Sequence, residues 1–155
     1  MKMKKNNLES LEEDLGYIFK DKQLLTTALT HKTYAFEAQT PVEYNERLEF
    51  LGDSVLNFVI AEKLYQSNQF FSEGELTRRR AIGVNNNVLA DVAGMLNIGS
   101  YLLLGKGESK QEGAKNRTNL ANALEALIGA IYLDSDLKTV RRFIFKKIYR
   151  EEFQF

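Results

Sequence analysis

The stretch NERLEFLGDSVLNFVIAEKLY, residues 45–65, decides how the rest of the chain is read. Its apolar residues recur at helical spacing, with Leu48, Phe50, Leu51, Val55, Leu56, Phe58, Val59, Ile60 and Leu64 covering nearly the whole circumference of a helix. That is the pattern of a helix packed inside a bundle. Three carboxylates interrupt it: Glu46, Glu49 and Asp53. At i, i+3 and i+7 they fall within an arc of roughly 60°. Ionised carboxylates resist burial unless they are paired, hydrogen-bonded or bound to a metal. Part of this acidic stripe is therefore expected to face inward or to line a cleft.

Working outward, the same periodicity predicts helices at about 7–15, 21–30, 44–66, 73–82, 85–95, 118–133 and 136–152, an all-α bundle of about seven helices. Gly16 is placed to end the first helix as a C′ glycine. Ser72 to Glu75 fits the S-x-x-E capping box that opens the fourth. The segment around Pro41, residues 36–43, and the polar, glycine-rich GKGESKQEGAKNR, residues 105–117, read as exposed loops. No repeat or linker divides the chain, so residues 1–155 are expected to form one domain.

Composition sets further bounds. The 155 residues contain no cysteine and a single histidine, His31, so any metal must be held mainly by oxygen. The 21 basic and 21 acidic residues cancel, which leaves the choice of partner open. The N-terminus has no apolar core of the kind a signal peptide needs, and no apolar run is long enough to span a membrane. A cytoplasmic location is expected, and no motif calls for an organic cofactor. His31 reads as a core or capping residue, and the aromatic residues as mostly core.

A second helix is equally unusual. In TNLANALEALIGAIYLD, residues 118–134, the only polar positions between Asn119 and Tyr132 are Asn122 and Glu125, which share one face. Gly52 and Gly129, one in each helix, offer a close approach of the two backbones. Two buried helices with short oxygen-rich stripes suggest that the stripes face each other, as in the carboxylate metal sites of helical bundles. Glu49, Asp53 and Glu125, with Asn122 beside them, suit Mg²⁺ or Mn²⁺ and so phosphoryl chemistry. The plainer alternative is that the carboxylates pair with Arg47, Lys63 or the Arg78–Arg79–Arg80 run, with Glu125 as a lone hydrogen-bonded core residue.

NERLEFLGDSVL resembles the signature of the ribonuclease III family. LGYIFKDKQLLTTALTHKTY, SEGELTRRRAIGVNN, GKGE and ALEALIGAIYLD resemble its other segments, so that residues 8–150 are covered. The resemblance implies a helical endonuclease domain that hydrolyses double-stranded RNA with Mg²⁺ and acts as a homodimer. Its two sites would leave 5′-phosphate and 3′-hydroxyl ends with two-nucleotide 3′ overhangs. Glu49, Asp53 and Glu125 match the family's metal-binding and catalytic carboxylates, while Glu46 and Glu73 match supporting acidic positions near the site and the dimer interface. Phe50 and Leu51 are the expected dimer contacts. Two departures matter. The family's fourth acidic ligand falls at Asn122, which removes one negative charge and implies impaired activity. Nothing in the chain resembles a double-stranded-RNA-binding domain. A non-catalytic RNA-binding scaffold of the same fold is the alternative, and a short relative acting on ribosomal RNA is a third.

Overall fold

The computed structural model describes residues 5–149, with side chains from Leu8 onward. These residues form nine α-helices: α1 (Lys5–Leu15), α2 (Lys22–Leu29), α3 (Lys32–Glu37), α4 (Glu46–Ser67), α5 (Glu73–Gly83), α6 (Asn86–Met95), α7 (Lys106–Lys110), α8 (Arg117–Asp134) and α9 (Leu137–Lys147). Two short 3₁₀ turns lie at Ile98–Tyr101 and Gly113–Lys115. Among the described residues there is no strand, only an isolated bridge between Thr30 and Leu103.

The seven expected helices are all present, six of them within two residues at each end. The seventh was expected to reach 152. It stops at Lys147, where Ile148 caps it and Tyr149 turns back to bond the Ile144 carbonyl; the part beyond 149 lies outside the described residues. Both segments read as loops contain helix. Phe36 and Glu37 complete α3, and the glycine-rich stretch 105–117 holds α7 and a 3₁₀ turn. That stretch is folded onto the body, with Gly113 buried and Asn119 Nδ2 donating to Glu108 Oε1 at 2.7 Å and to the Gly113 carbonyl at 3.1 Å. Such contacts across the chain leave no trace in local periodicity.

Helix ends follow from the residues placed there. Gly16 has φ of 68°, and with it the Tyr17 N–H reaches back to the Glu12 carbonyl at 3.1 Å, the Schellman end of α1. Ser72 Oγ accepts from Glu75 N at 3.2 Å, which is one half of the expected capping box. The other half is missing because the Glu75 carboxylate is taken by Arg78 and Arg79. His31 caps α3, its Nδ1 accepting from Thr33 N at 3.3 Å.

α4 and α8 are the central pair and run antiparallel, Gly52 lying against Glu125 and Gly129 against Leu48. A Cβ on Gly52 would sit 1.7 Å from the Glu125 carbonyl oxygen, and one on Gly129 would sit 2.4 Å from the Leu48 carbonyl oxygen. No larger residue fits either position while the helices stay where they are. α8 is the most deeply buried element, for between Leu120 and Ile131 only Asn122 escapes full burial. Each buried Leu or Ile there contributes roughly 1.5–3 kcal/mol.

α4 departs from the expectation of burial all round. One face stays open, with Phe50 78%, Phe58 52% and Tyr65 75% exposed. Among the described residues α5 flanks this face, Glu73, Leu76 and Arg80 lining a groove with Phe58 and Tyr65, but the three rings are left largely uncovered. The aromatic residues as a group are also less buried than expected: of the described ones, only Phe19, Tyr101 and Phe143 belong to the buried core.

Candidate metal centre

The acidic face is assembled where α4 and α8 touch, and backbone contacts made elsewhere fix the start of α4. Asn45 N donates to the Thr30 carbonyl at 2.9 Å, and Asn45 Nδ2 donates to the Ala28 carbonyl at 3.4 Å. These bonds moor the first turn of α4 to the end of α2. Glu46, at the head of the stripe, is exposed and pairs with Lys32 Nζ at 3.1 Å. Glu49, one turn on, is half-buried, and Asp53 is exposed. Asn57 Nδ2 donates to Asp53 Oδ1 at 2.8 Å and to the Asp53 carbonyl at 2.9 Å, which fixes the orientation of that carboxylate.

From α8, Glu125 is buried at 8% exposure and Asn122 half-buried. Burial, the negative charges of Asp53 and Glu49, and a hydrogen bond with Asp53 push the Glu125 carboxyl up to about 7. Glu49 is raised too, by burial and then by Glu46 and Asp53, with Lys32 pulling the other way. The stripes on α4 and α8 thus meet, and their carboxylates repel each other. Among the described residues, no cation is in contact with Glu49, Asp53 or Glu125. Pairing with Arg47, Lys63 or the arginine run therefore does not account for them. Arg78 and Arg79 are held by Glu75, and Arg79 also stacks on Phe71 at 4.1 Å.

Two of the residues picked from sequence stand apart from this pair. Glu73 begins α5, where its carboxylate accepts from Thr77 Oγ1 at 3.1 Å and lines a groove with Phe58, Tyr65 and Arg80. Its charge does not figure among those acting on Glu49 or Glu125. Glu46 acts on Glu49 but is itself tied to Lys32. Lys32 and Asn57 are the residues that sequence reasoning missed. The i+4 spacing of Asp53 and Asn57 was a signal for the second; only the tertiary fold brings in the first.

Does such a set fit a hard divalent cation? Among the described residues, no three acidic or histidine side chains converge tightly enough to enclose a metal by themselves. Mg²⁺ does not require that, for it keeps several waters and takes one or two carboxylates along with substrate phosphate oxygens. Asp53 and Glu125 form such a pair. Asn122 makes no hydrogen bond to the described protein, so its amide oxygen is free to join them. A carboxylate pushed to about 7 by burial and then by like charges, with no described cation beside it, is a group awaiting a counter-charge. The donor set fits.

Beside the acidic face, Phe50 and Leu51 line an open cavity of about 1060 Å³ together with Leu24, Pro41, Tyr44 and Leu133. No helix among the described residues is long and apolar enough to cross a membrane.

The sequence model of the Ribonuclease-III-like family matches residues 21–151. The chain is 48% identical over 138 residues to the Ribonuclease 3 of Buchnera aphidicola subsp. Acyrthosiphon pisum, a match covering 89% of this chain and 58% of that protein. It is 51% identical over 136 residues to the Ribonuclease 3 of Syntrophomonas wolfei, covering 88% and 58%. The chain thus spans less than two thirds of the length of the curated relatives it matches. Among solved structures, the nuclease domain of ribonuclease III from Campylobacter jejuni superposes with a TM-score of 0.85 at 40% identity, covering 92% of this chain and 96% of that one. That structure is described as flexible in a region involved in dimer formation.

Proposed function

The chain belongs to the ribonuclease III family, and from that membership we propose that it is an endoribonuclease unit hydrolysing phosphodiester bonds of double-stranded RNA. The observation that carries the reading is Glu125, a carboxylate on α8 that burial, and then Asp53 and Glu49 of α4, push up to about 7. In this reading Glu49, Asp53 and Glu125 hold Mg²⁺, or Mn²⁺ in its place, with the Asn122 amide oxygen as a neutral ligand. When bound, the ion supplies an activated water and offsets charge on the phosphate. Asp53 and Glu125 are the catalytic carboxylates. Asn57 keeps Asp53 turned for its role, and the burial of Glu125 excludes bulk water from its side of the site. Titrating at about 7, Glu125 is partly protonated near neutral pH, and a bound cation would favour its ionised form.

The active unit is a homodimer, with Phe50 and Leu51 of each copy meeting across the open face of α4. What supports this is the unusual exposure of Phe50, 78%, beside an apolar cavity. Glu73 then acts as a supporting acidic group near the interface. Two sites, one per copy, cut opposite strands and leave 5′-phosphate and 3′-hydroxyl ends with two-nucleotide 3′ overhangs. Asn122 removes one charge from the site and lowers its metal affinity and rate. The protein works in the cytoplasm.

The test is cleavage of a long RNA duplex in Mg²⁺ and in Mn²⁺, comparing the chain with its Asn122→Asp variant. Short duplex products from the variant, and weaker or no cutting by the parent, are expected. Asn122 also favours a second reading, a non-cutting duplex-RNA scaffold of the same fold. That reading takes over if neither protein cuts while both dimerise and bind duplex RNA.

A further inference from the structure

The acidic face has one fixed positive charge at its edge, and the carboxylates do not exhaust it. Lys32 is the only cation among the charges that act on Glu49, and none acts on Glu125. Its ammonium meets Glu46 at a single point, 3.1 Å away, and makes no other hydrogen bond or ion pair within the described protein. An ammonium has three donors, so two remain unused. Lys32 and Glu46 are both about half exposed, 49% and 47% at the side chain, so the contact can be exchanged at little cost.

The base of Lys32 is not free to wander. His31 N donates to the Leu103 carbonyl at 2.9 Å, and the Thr30 carbonyl takes Asn45 N at 2.9 Å. The first ties the start of α3 to Leu103 and the second ties the residue before it to the start of α4, so the lysine stem grows from a fixed point beside the acidic stripe. A flexible stem on a fixed base delivers a point charge over a short range, which suits a phosphate oxygen. The need for such a charge is plain. An RNA backbone approaching Glu46, Glu49, Asp53 and Glu125 meets repulsion that a single divalent cation only partly offsets.

We propose that Lys32 is a substrate-positioning residue that leaves Glu46 to bind a phosphodiester of the RNA backbone beside the acidic face. The proposal rests on the reading of the chain as a duplex-RNA nuclease. Glu46 then has a second part, holding the ammonium in place until the phosphate arrives.

The measurement is fluorescence-anisotropy binding of a short RNA duplex in Mg²⁺ across a series of salt concentrations, with the RNA checked for integrity afterwards. The parent chain is compared with Lys32→Gln, Lys32→Arg and, as a cation away from the site, Lys138→Gln. Removing one phosphate contact lowers the magnitude of the slope of log K against log salt by about one. Lys32→Gln is expected to show that loss and to bind roughly tenfold more weakly at low salt, while Lys32→Arg keeps the parent's slope. A purely structural ion pair would alter the melting temperature and leave the slope alone. An unchanged slope in Lys32→Gln, or an equal loss in Lys138→Gln, overturns the inference and leaves the nuclease reading standing. A parent chain with no salt-dependent affinity for duplex RNA overturns both.

Discussion

Replacing Glu125 by Gln should make the metal-free protein more stable, by an amount that depends on pH in one direction only. Glutamine keeps the shape of the protonated acid and cannot ionise. In the folded chain the Glu125 carboxyl titrates at about 7 against an ordinary value of 4.5, because burial and then Asp53 and Glu49 disfavour its charged form. A raised carboxylate stabilises the fold fully below the unfolded value and loses that contribution as pH rises through the folded one. The gap between 4.5 and about 7, at 1.36 kcal/mol for each power of ten, comes to roughly 3 kcal/mol. Water reaching the open side of the cluster trims this to about 2–3 kcal/mol. Urea unfolding in a chelating buffer should therefore show Glu125→Gln more stable by about that much at pH 8, with the difference fading toward zero at pH 4.5. Adding millimolar Mg²⁺ at pH 8 should stabilise the parent and leave the variant nearly unchanged. A variant no more stable at pH 8, or a gap equal at both pH values, would refute the picture of like-charge strain around Glu125.

The other expectations follow from the same face of the molecule. Gly52→Ala places a methyl group 1.7 Å from the Glu125 carbonyl oxygen and should cost at least about 3 kcal/mol in chemical denaturation. Gly94→Ala, whose Cβ meets nothing within 4 Å, should be neutral or stabilising by about 0.5–1 kcal/mol. Asn122→Asp, adding a fourth carboxylate to a repelling set, should lower the melting temperature in chelator and raise it relative to the parent in Mg²⁺; an equal or higher melting temperature in chelator would sink the argument. Phe50→Asp should yield a monomer by light scattering at micromolar concentration with little change in the unfolding of that monomer, since the ring is 78% exposed. A parent chain that is already monomeric there would remove the case for the α4 face as the dimer contact.

How far the sequence could be read depended on whether a feature was set by near neighbours. α4 and α8 were legible because long apolar runs at helical spacing admit a helix packed in a bundle, and Gly52 and Gly129 stood out as the only glycines in them. The pairing of the two stripes was legible for the same reason, since two polar faces on buried helices have few other places to go. α3 and α7, six and five residues long, carry too few turns to show a period. They exist because the rest of the fold holds them: the Glu37 carboxylate takes Lys106 N at 3.0 Å with both oxygens, joining one to the other. The partner of Glu46 was misassigned for a related reason. Lys32 is fourteen positions away and is brought close by the bond between Thr30 and Asn45 at the head of α4. The open face of α4 was not legible from periodicity, in which Phe50 and Phe58 read as core residues; only the family resemblance set Phe50 apart, as a contact residue.

The glycine contact between α4 and α8 has a consequence beyond packing. Side-chain interfaces yield a little when one residue is traded for another, because rotamers rearrange. Peptide resting on peptide does not yield, so the distance between these helices has a hard lower stop. Asp53, beside Gly52, and Glu125, whose carbonyl lies against Gly52, flank that stop, one on each helix. Changes in Leu56, Leu124 or Ile128 will be felt as lost stability before they are felt as a narrower gap between the carboxylates. The gap can widen but not close, which makes the two helices a pair of jaws with a built-in shim, set by the backbone and indifferent to which hydrocarbon fills the space behind it.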